Sequence, residues 1–293
     1  MAVDPGKPTN QPHAHPHHHA HIQTVDAGMP IGQILIVGGI VALLGGGGLW
    51  YLDRKGEDTK LNTLFKSQDT RKITTNNGQR GNVTLSDGSI LSVGPATKLT
   101  IIPEYNTLYR GVQVNGTAGF DVKPSAGVPL EVRAGGGIFV LDEGAFVVRS
   151  YEDEGDATFK LTSGSVQVRA KDARLEITAP ALLYIGKDST VSDADSVAVD
   201  IATSWVDGTV KFVDMPIRGL LPLLNKYYAL SIELTDEALL SRTVTMEASL
   251  ESKQMAIDAL EKAAFVKFAY NGTTPTLKDD PAAAARAARA AKK

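Results

Sequence analysis

Residues 78–99 read GQRGNVTLSDGSILSVGPATKL, and this stretch carries the clearest structural signal in the chain. Residues 83–85 alternate apolar and polar side chains, and residues 90–93 are apolar except for Ser92; both segments are typical of short strands. Between them, Asp87 and Gly88 form a pair of residues that favours a tight turn. The stretch therefore predicts a β-hairpin.

The same alternation continues along the chain, where short apolar–polar segments are separated by Gly, Asn, Asp and Ser. Many strands at short spacing, with turn residues between them, are typical of an all-β sandwich, roll or β-helix-like stack. We therefore expect one all-β domain over residues 69–194. Its further strands are predicted at residues 99–102, 111–114, 120–122, 130–132, 138–141, 146–148, 158–161, 166–169, 175–178 and 183–185.

A smaller α+β module is predicted over residues 201–276, after a polar boundary at residues 195–200. Apolar residues at i, i+3, i+4 and i+7 indicate a first helix, and similar spacing indicates a second. Strand-like segments precede, separate and follow these helices, which gives the order βαββαβ. The apolar stripes contain Ile217, Leu220, Leu221 and Leu224, then Ile257, Leu260 and Ala264; the strands are expected at residues 210–213, 230–234, 242–246 and 266–270.

Residues 29–52, MPIGQILIVGGIVALLGGGGLWYL, contain no charged side chain. A helix of about 20 apolar residues crosses the hydrocarbon core of a bilayer and satisfies its own backbone hydrogen bonds there. We therefore predict a protein anchored in the lipid bilayer by one transmembrane helix. Gly38, Ala42 and Gly46 repeat every four residues, a spacing of small residues that lets another helix approach closely. This stripe predicts an integral membrane protein partner.

Three polar segments flank these regions. Residues 53–68 predict a juxtamembrane linker, and residues 277–293 predict an Ala/Arg/Lys tail that either meets an anionic surface or stays solvated. Residues 1–28 form a His- and Pro-rich tail that cannot bury enough apolar surface to fold alone. Closely spaced imidazoles bind divalent transition metals, so this tail binds a metal either as a function or only incidentally. The candidate ligands are His13, His15, His17, His18, His19 and His21.

The composition argues against several classes of function. A formal net charge of −3 gives no electrostatic basis for binding nucleic acid. The chain has no cysteine, and it has no histidine after residue 21, so no thiol or imidazole catalysis is open to the later residues. We therefore expect no enzyme and no cofactor. The acidic run at residues 152–156 predicts either a calcium site or, more simply, an exposed hairpin tip.

Residues 78–99 also resemble the opening of the FecR domain, in which a glycine-led strand precedes an LxDGS hairpin. The segments at residues 110–122, 130–132, 144–148 and 161–168 follow in the order of that family. Two positions depart from its pattern, because Thr117 stands where the family has Glu and Ala145 where it has Thr. The module from residue 201 is similar to the short N-terminal domain of secretins and TonB-dependent receptors, which many FecR-type proteins carry.

The resemblance implies a bacterial inner-membrane protein with a cytoplasmic N-terminus and the bulk of the chain in the periplasm. In this family the periplasmic part senses the signalling domain of a TonB-dependent receptor, and a helical cytoplasmic domain controls an extracytoplasmic-function (ECF) sigma factor. Only the His-rich tail precedes the anchor here, and it lacks the apolar periodicity of such a helical domain. The positive-inside tendency opposes the implied topology, because Arg54, Lys55 and Lys60 follow the anchor whereas Lys7 alone precedes it.

Two functions follow from these observations. The one that the sequence favours is a single-pass, membrane-anchored periplasmic interaction protein, which serves as an accessory or scaffolding subunit of a larger membrane assembly. In that hypothesis the FecR-like β domain and the α+β module bind periplasmic proteins. The alternative is a FecR-type transmembrane signalling regulator that relays the occupancy of a TonB-dependent receptor to an ECF sigma factor.

Overall fold

The computed structural model describes residues 60–171 and 173–291, and these form a predominantly β fold with a few helices. The predicted transmembrane helix at residues 29–52 and the tail at residues 1–28 lie outside the described residues. Within the ranges described, no helix is both long and apolar enough to span a bilayer.

The described chain begins in a helix, α1 (residues 60–65), and continues through sixteen strands and further helices. The β domain contains β1 (Arg71–Thr74), β2 (Gly81–Thr84), β3 (Ile90–Val93), β4 (Lys98–Ile101), β5 (Arg110–Val122), β6 (Leu130–Ala134), β7 (Gly137–Leu141), β8 (Gly144–Ser150), β9 (Ala157–Ala170), β10 (Ala173–Thr178), β11 (Ala181–Ile185) and β12 (Val191–Asp193). After it come α2 (Ser196–Thr203), the 3-10 helix η1 (Ser204–Asp207), β13 (Thr209–Pro216), α3 (Ile217–Tyr228), α4 (Glu237–Leu240), β14 (Thr243–Ser249), α5 (Lys253–Ala264), β15 (Val266–Asn271), β16 (Thr274–Asp279) and α6 (Pro281–Ala290).

Two sheets make up the β domain, and they share the long strands β5 and β9. The first sheet has the order β1-β4-β5-β6-β7-β9-β10, and the second has the order β2-β3-β5-β8-β9-β11-β12. Strands β5 and β6 run parallel, whereas the other pairs in these sheets are antiparallel. The N-terminal half of β5 lies in the first sheet and its C-terminal half in the second, and β9 crosses in the opposite direction.

A glycine lies where each shared strand changes sheets, Gly116 in β5 with φ of +128° and Gly164 in β9 with φ of +85°. Residues other than glycine rarely adopt such angles, so the two glycines let a strand bend without ending. In the sequence these glycines resemble turn residues, and four separate strands are predicted around them, at residues 111–114, 120–122, 158–161 and 166–169. That part of the prediction is wrong, because each pair is one continuous strand.

The apolar core of the β domain takes side chains from both sheets. Four phenylalanines stack through it, with ring centroids 4.5 Å apart for Phe120 and Phe146, 5.0 Å for Phe146 and Phe159, and 4.3 Å for Phe159 and Phe139. Stacked aromatic pairs contribute about 0.5–1.5 kcal/mol beyond the area that they bury. The alternating pattern of the sequence therefore places its large side chains in one common interior.

Asp87, from the predicted hairpin turn, forms an ion pair with Arg110, and both side chains are fully buried. The Arg110 guanidinium donates to Asp87 Oδ2 (2.9 Å) and to the carbonyls of Val128 (2.6 Å), Lys123 (2.7 Å) and Asp142 (3.0 Å). One side chain thus joins the hairpin to two other loops, the β5–β6 loop with Lys123 and Val128 and the β7–β8 turn with Asp142. A buried cation is tolerated because it has a counterion and its donors have acceptors.

Two further groups hold the Asp87 carboxylate in its charged form. The Tyr105 hydroxyl donates to Oδ2 (2.9 Å), and the Ser89 amide donates to Oδ1 (2.9 Å). Burial alone would raise the pKa of Asp87, but these hydrogen bonds and the one from Arg110 outweigh it, so the pKa lies below its ordinary value. The tight turn therefore forms one side of a buried ionic cluster.

The C-terminal module has two two-stranded sheets, β13 with β14 and β15 with β16, and its helices share one apolar core with them. Both predicted helices are present as α3 and α5. The strand predicted at residues 230–234 is absent, because this segment has no ladder partner among the described residues. Its amides bond elsewhere, Leu230 to the Leu224 carbonyl (3.4 Å) and Glu233 to the Pro275 carbonyl (2.9 Å). The order is thus βααβαββ, and the prediction of βαββαβ is wrong in its second strand.

The predicted tail at residues 277–293 also differs from the structure at its start. Strand β16 crosses the boundary at residue 277, and α6 follows directly. Asp280 caps α6 by accepting a hydrogen bond from the Ala283 amide (2.9 Å), and Pro281 occupies the first turn, where no amide is needed. These residues therefore form a capped helix.

Candidate functional site

The β domain and the C-terminal module meet around Trp205, which lies in η1. The indole is only 4% exposed, and its Nε1 donates a hydrogen bond to Thr117 Oγ1 in β5 at 2.9 Å. A buried indole N–H requires an acceptor, so the ring fits one place on the β domain. Gly208, with φ of +83°, ends η1 and turns the chain into β13.

Thr117 is fully buried and connects three segments. Its Oγ1 accepts from Trp205 and donates to the Val148 carbonyl of β8 (3.1 Å), while its backbone amide donates to Thr97 Oγ1 (2.9 Å). The hydroxyl acts as acceptor and donor at once, a combination that an ionised carboxylate cannot offer. The departure from the FecR pattern at this position therefore has a structural role at the junction.

Two glycines make room for η1 on the surface of the second sheet. A Cβ on Gly94 would lie 2.3 Å from Thr117 Cγ2 and 3.2 Å from Trp205 Cζ2, and a Cβ on Gly119 would lie 2.8 Å from Val206 Cγ1. Real Cβ atoms do not approach other atoms to 2.3 or 2.8 Å, so a side chain at Gly94 would displace Thr117 and one at Gly119 would displace Val206 of η1. Here glycine is required by close approach of two segments.

A second contact joins helix α3 to the β8–β9 turn through Lys226. Its ammonium lies 2.8 Å from Glu154 Oε1 and 3.6 Å from the ring centroid of Tyr151. Arg149 Nη2 donates to the same carboxylate at 2.7 Å, and its guanidinium carbon lies 4.9 Å from the Tyr151 centroid. Two cations thus share one carboxylate and one aromatic ring, a cation–π arrangement reinforced by charge.

Backbone contacts extend this junction along the module. The Gly78 amide donates to the Lys226 carbonyl (2.8 Å), and the Arg80 guanidinium donates to the Leu250 carbonyl (2.6 Å). Val147 of β8 packs in the apolar core of the module together with Trp205. Because polar and apolar contacts both cross the boundary, the β domain and the module form one packed body.

Electrostatics at this junction depend on Glu154. Burial alone would raise the pKa of Glu154, but the hydrogen bonds and charges of Arg149 and Lys226 outweigh it and bring the pKa below its ordinary value of 4.5. A carboxyl whose folded pKa is lowered stabilises the fold above its unfolded pKa, and that contribution disappears as the pH falls through the folded pKa.

We therefore expect the Glu154→Gln variant to lose less stability than the wild type when the pH is lowered from about 6 to about 3. The neutral amide cannot take part in the protonation that weakens the wild-type junction. The measurement is the thermal midpoint of the full-length protein at each pH, with the exposed Glu143→Gln as control. The pKa of Asp87 is lowered as well, so both proteins lose stability from that group in acid. The quantity to compare is therefore the difference in thermal midpoint between variant and wild type at each pH. If the thermal midpoints of Glu154→Gln and the wild type fall in parallel as the pH is lowered, Glu154 does not stabilise the junction through its charge.

The predicted site residues have different outcomes. The six histidines and the stripe of Gly38, Ala42 and Gly46 lie outside the described residues. The acidic run at residues 152–156 supplies Glu154 to the ion pairs with Arg149 and Lys226, and nowhere in residues 60–171 and 173–291 do three or more acidic or histidine side chains gather as metal ligands.

Sequence reasoning missed Trp205 and Lys226. Their partners are 88 and 72 residues away along the chain, so no local period reveals them. One usable signal existed, a single tryptophan directly after the polar boundary and just before Asp207-Gly208. Aromatic side chains dominate the energetics of cores and interfaces, so a tryptophan in a connecting segment is a candidate for a buried contact.

Comparison with known proteins agrees with the β architecture. Residues 71–167 match the family model described as FecR protein. This region is a FecR domain. The match begins at β1 and ends within β9, so it includes Thr117 of the junction and both residues of the buried ion pair. Strands β10 to β12, which complete the two sheets around the FecR domain, follow the matched region.

Two crystal structures of a candidate anti-sigma factor from Parabacteroides distasonis ATCC 8503, at 2.50 Å and 1.65 Å resolution, are similar to this chain. Sequence identity is 20% and 19%, and the TM-score is 0.59 for both. The similarity covers 72% and 71% of this chain and 99% of each crystallised chain. At this identity the likeness concerns the fold. No curated protein matches the sequence.

Proposed function

We propose that this chain is a FecR-type signalling regulator, which binds another protein and passes on the resulting change through its FecR domain. The observation that carries the proposal is the FecR match at residues 71–167 inside a fold that resembles a candidate anti-sigma factor over 72% of the chain. The comparisons support this alternative better than the accessory-subunit hypothesis that the sequence favours. Regulators of this type act by contact, in keeping with the expectation that the chain is not an enzyme.

The packing supplies a continuous path for such a relay. At one end Trp205 and Lys226 fix the module on the second sheet, and at the other end α1 packs on the first sheet. Phe65 of α1 lies under the Arg133 guanidinium, with 4.4 Å between the guanidinium carbon and the ring centroid, and Asn62 accepts a hydrogen bond from Arg133. A displacement of the module can therefore pass through the packed β domain to α1, the helix that follows the predicted anchor.

Partners and location belong to the same proposal. We place the described residues in the periplasm and the anchor in the bacterial inner membrane, with the module facing a receptor protein. Protease added to intact spheroplasts should then cleave the described region. Protection until lysis would contradict this topology and the receptor contact with it.

The test of the proposed function is the set of proteins that copurify with the full-length chain from native membranes in mild detergent. A regulator should recover a sigma factor and an outer-membrane receptor. The Trp205→Ala variant, which loosens the junction, should change that set, whereas Val197→Ala, an exposed position on α2, should leave it as in the wild type. Recovery of a stoichiometric membrane complex without a sigma factor would support the accessory-subunit function instead.

A further inference from the structure

Among the strands in residues 60–171 and 173–291, β10 is the longest at a sheet edge. It has six residues and pairs within these ranges with β9 alone, whereas the other edge strands β1, β2 and β12 have four, four and three residues. Proteins protect exposed edges with short strands, prolines, bulges or inward charges. Strand β10 contains no proline and pairs with β9 without a register shift, so its free edge is regular enough to accept another strand.

The register shows which backbone groups are free. The Ala179 amide donates to the Gly164 carbonyl (3.0 Å), and this pair continues the register in which β10 lies against β9, so the backbone groups of Ala179 face β9. Pairing alternates along an antiparallel ladder, so the backbone groups of Leu175 and Ile177 also face β9. Those of Arg174 and Glu176 point away from the sheet.

The side chains of these two residues carry opposite charge and lie on the outer face of the sheet. Glu176 Oε2 is buried and has no hydrogen-bond partner among the described residues. Arg174 is exposed, and its guanidinium donates to the backbone carbonyls of Lys171 (3.1 Å) and Ala173 (2.7 Å). A buried carboxylate oxygen without a donor is costly, so this position is suited to a cation from outside the chain.

We propose that β10 pairs antiparallel with β10 of a second copy of this chain, around a two-fold axis at Leu175. Each outward-facing Arg174 then lies opposite Glu176 of the second copy, so two ion pairs form by symmetry and each carboxylate gains a donor. A shift of the register by two residues would place Glu176 opposite itself, and that repulsion excludes it. The half-buried Leu175 side chains meet at the axis. This proposal is independent of the proposed function.

The absence of cysteine from the chain makes a direct test possible. In the proposed register Leu175 faces its own copy in a non-hydrogen-bonded pair, where Cα atoms are about 4.5 Å apart, within the disulfide range. Under mild oxidation in native membranes, full-length Leu175→Cys should yield a disulfide-linked dimer. The control is Ile73→Cys, at a partly buried position of β1 on the opposite edge of the same sheet. It should yield about tenfold less dimer, because β1 is not the paired edge.

Charge reversal separates strand pairing from chance collision. In the Leu175→Cys background, Arg174→Glu or Glu176→Arg should lower the dimer yield about tenfold, because like charges then lie opposite each other. The double variant with both reversals should restore the yield, since the complementary pairs return in exchanged positions. A thermal melt of each variant checks that it is folded. Equal crosslinking at both edges, crosslinks only to a different protein, or a yield that ignores charge would each overturn the proposal.

Discussion

Replacing Arg110 with alanine is expected to lower the free energy of unfolding by about 3–5 kcal/mol, because breaking a buried ion pair leaves an uncompensated charge inside the protein. Asp87 would lose its counterion, and the carbonyls of Val128, Lys123 and Asp142 would lose their donor. Urea denaturation of the full-length protein in detergent, followed by circular dichroism, measures this loss.

Two controls make the Arg110 result specific. Arg218 forms an exposed ion pair with Glu237, and Arg218→Ala should cost no more than about 1 kcal/mol. The double variant Asp87→Asn, Arg110→Met should recover part of the loss, since no charge then remains buried. If Arg110→Ala costs as little as Arg218→Ala, the ionic cluster does not hold the loops of the FecR domain together.

The Trp205→Ala variant is expected to lose about 3–5 kcal/mol of stability, the usual cost of removing a buried tryptophan. It should also split denaturant unfolding into two transitions, because the indole joins the module to Thr117. Trp205→Phe keeps most of the apolar volume and loses the hydrogen bond, so it should cost less, with about 1 kcal/mol assigned to the missing bond. Circular dichroism is the suitable probe, since the variants remove an indole that fluorescence would detect.

Limited proteolysis provides an independent measure of the same junction. In Trp205→Ala the segment that contains η1 should become accessible to the protease, and cleavage there should separate the β domain from the module. Val197→Ala should be cleaved at the wild-type rate. A single unfolding transition together with unchanged cleavage in Trp205→Ala would show that the Lys226 contact and the shared apolar core suffice to join the two parts.

Local patterns predicted most of the fold. Alternation located strands such as β3, β7 and β11, and the stripe at Ile217, Leu220 and Leu224 located α3. Predictions failed where one residue type serves two purposes. Gly116 and Gly164 have the composition of a turn, yet in the structure they bend continuous strands. Residues 230–234 have strand composition, but a ladder needs a partner that alternation alone does not specify.

The candidate site was less accessible to sequence reasoning, because it depends on contacts between distant segments. Thr117 stood out only as a departure from the FecR pattern, and the hydrogen bond from Trp205 that explains it spans 88 positions. Glu154 was noticed as part of an acidic run. In the structure Glu154 binds Arg149, five residues earlier, and Lys226 in α3. Only the contact with Lys226 could not be predicted from neighbouring residues in the sequence.

Strands β5 and β9 each belong to both sheets of the β domain, so neither sheet can separate while the other stays intact. Opening one face would require tearing a ladder in the opposite face at the same moment. Because two strands are shared in this way, partial unfolding of one sheet is costly, and the β domain responds to force in an all-or-none manner. A force applied to β5 through Trp205 would consequently act on both sheets of the β domain together, so the domain would move as a rigid unit.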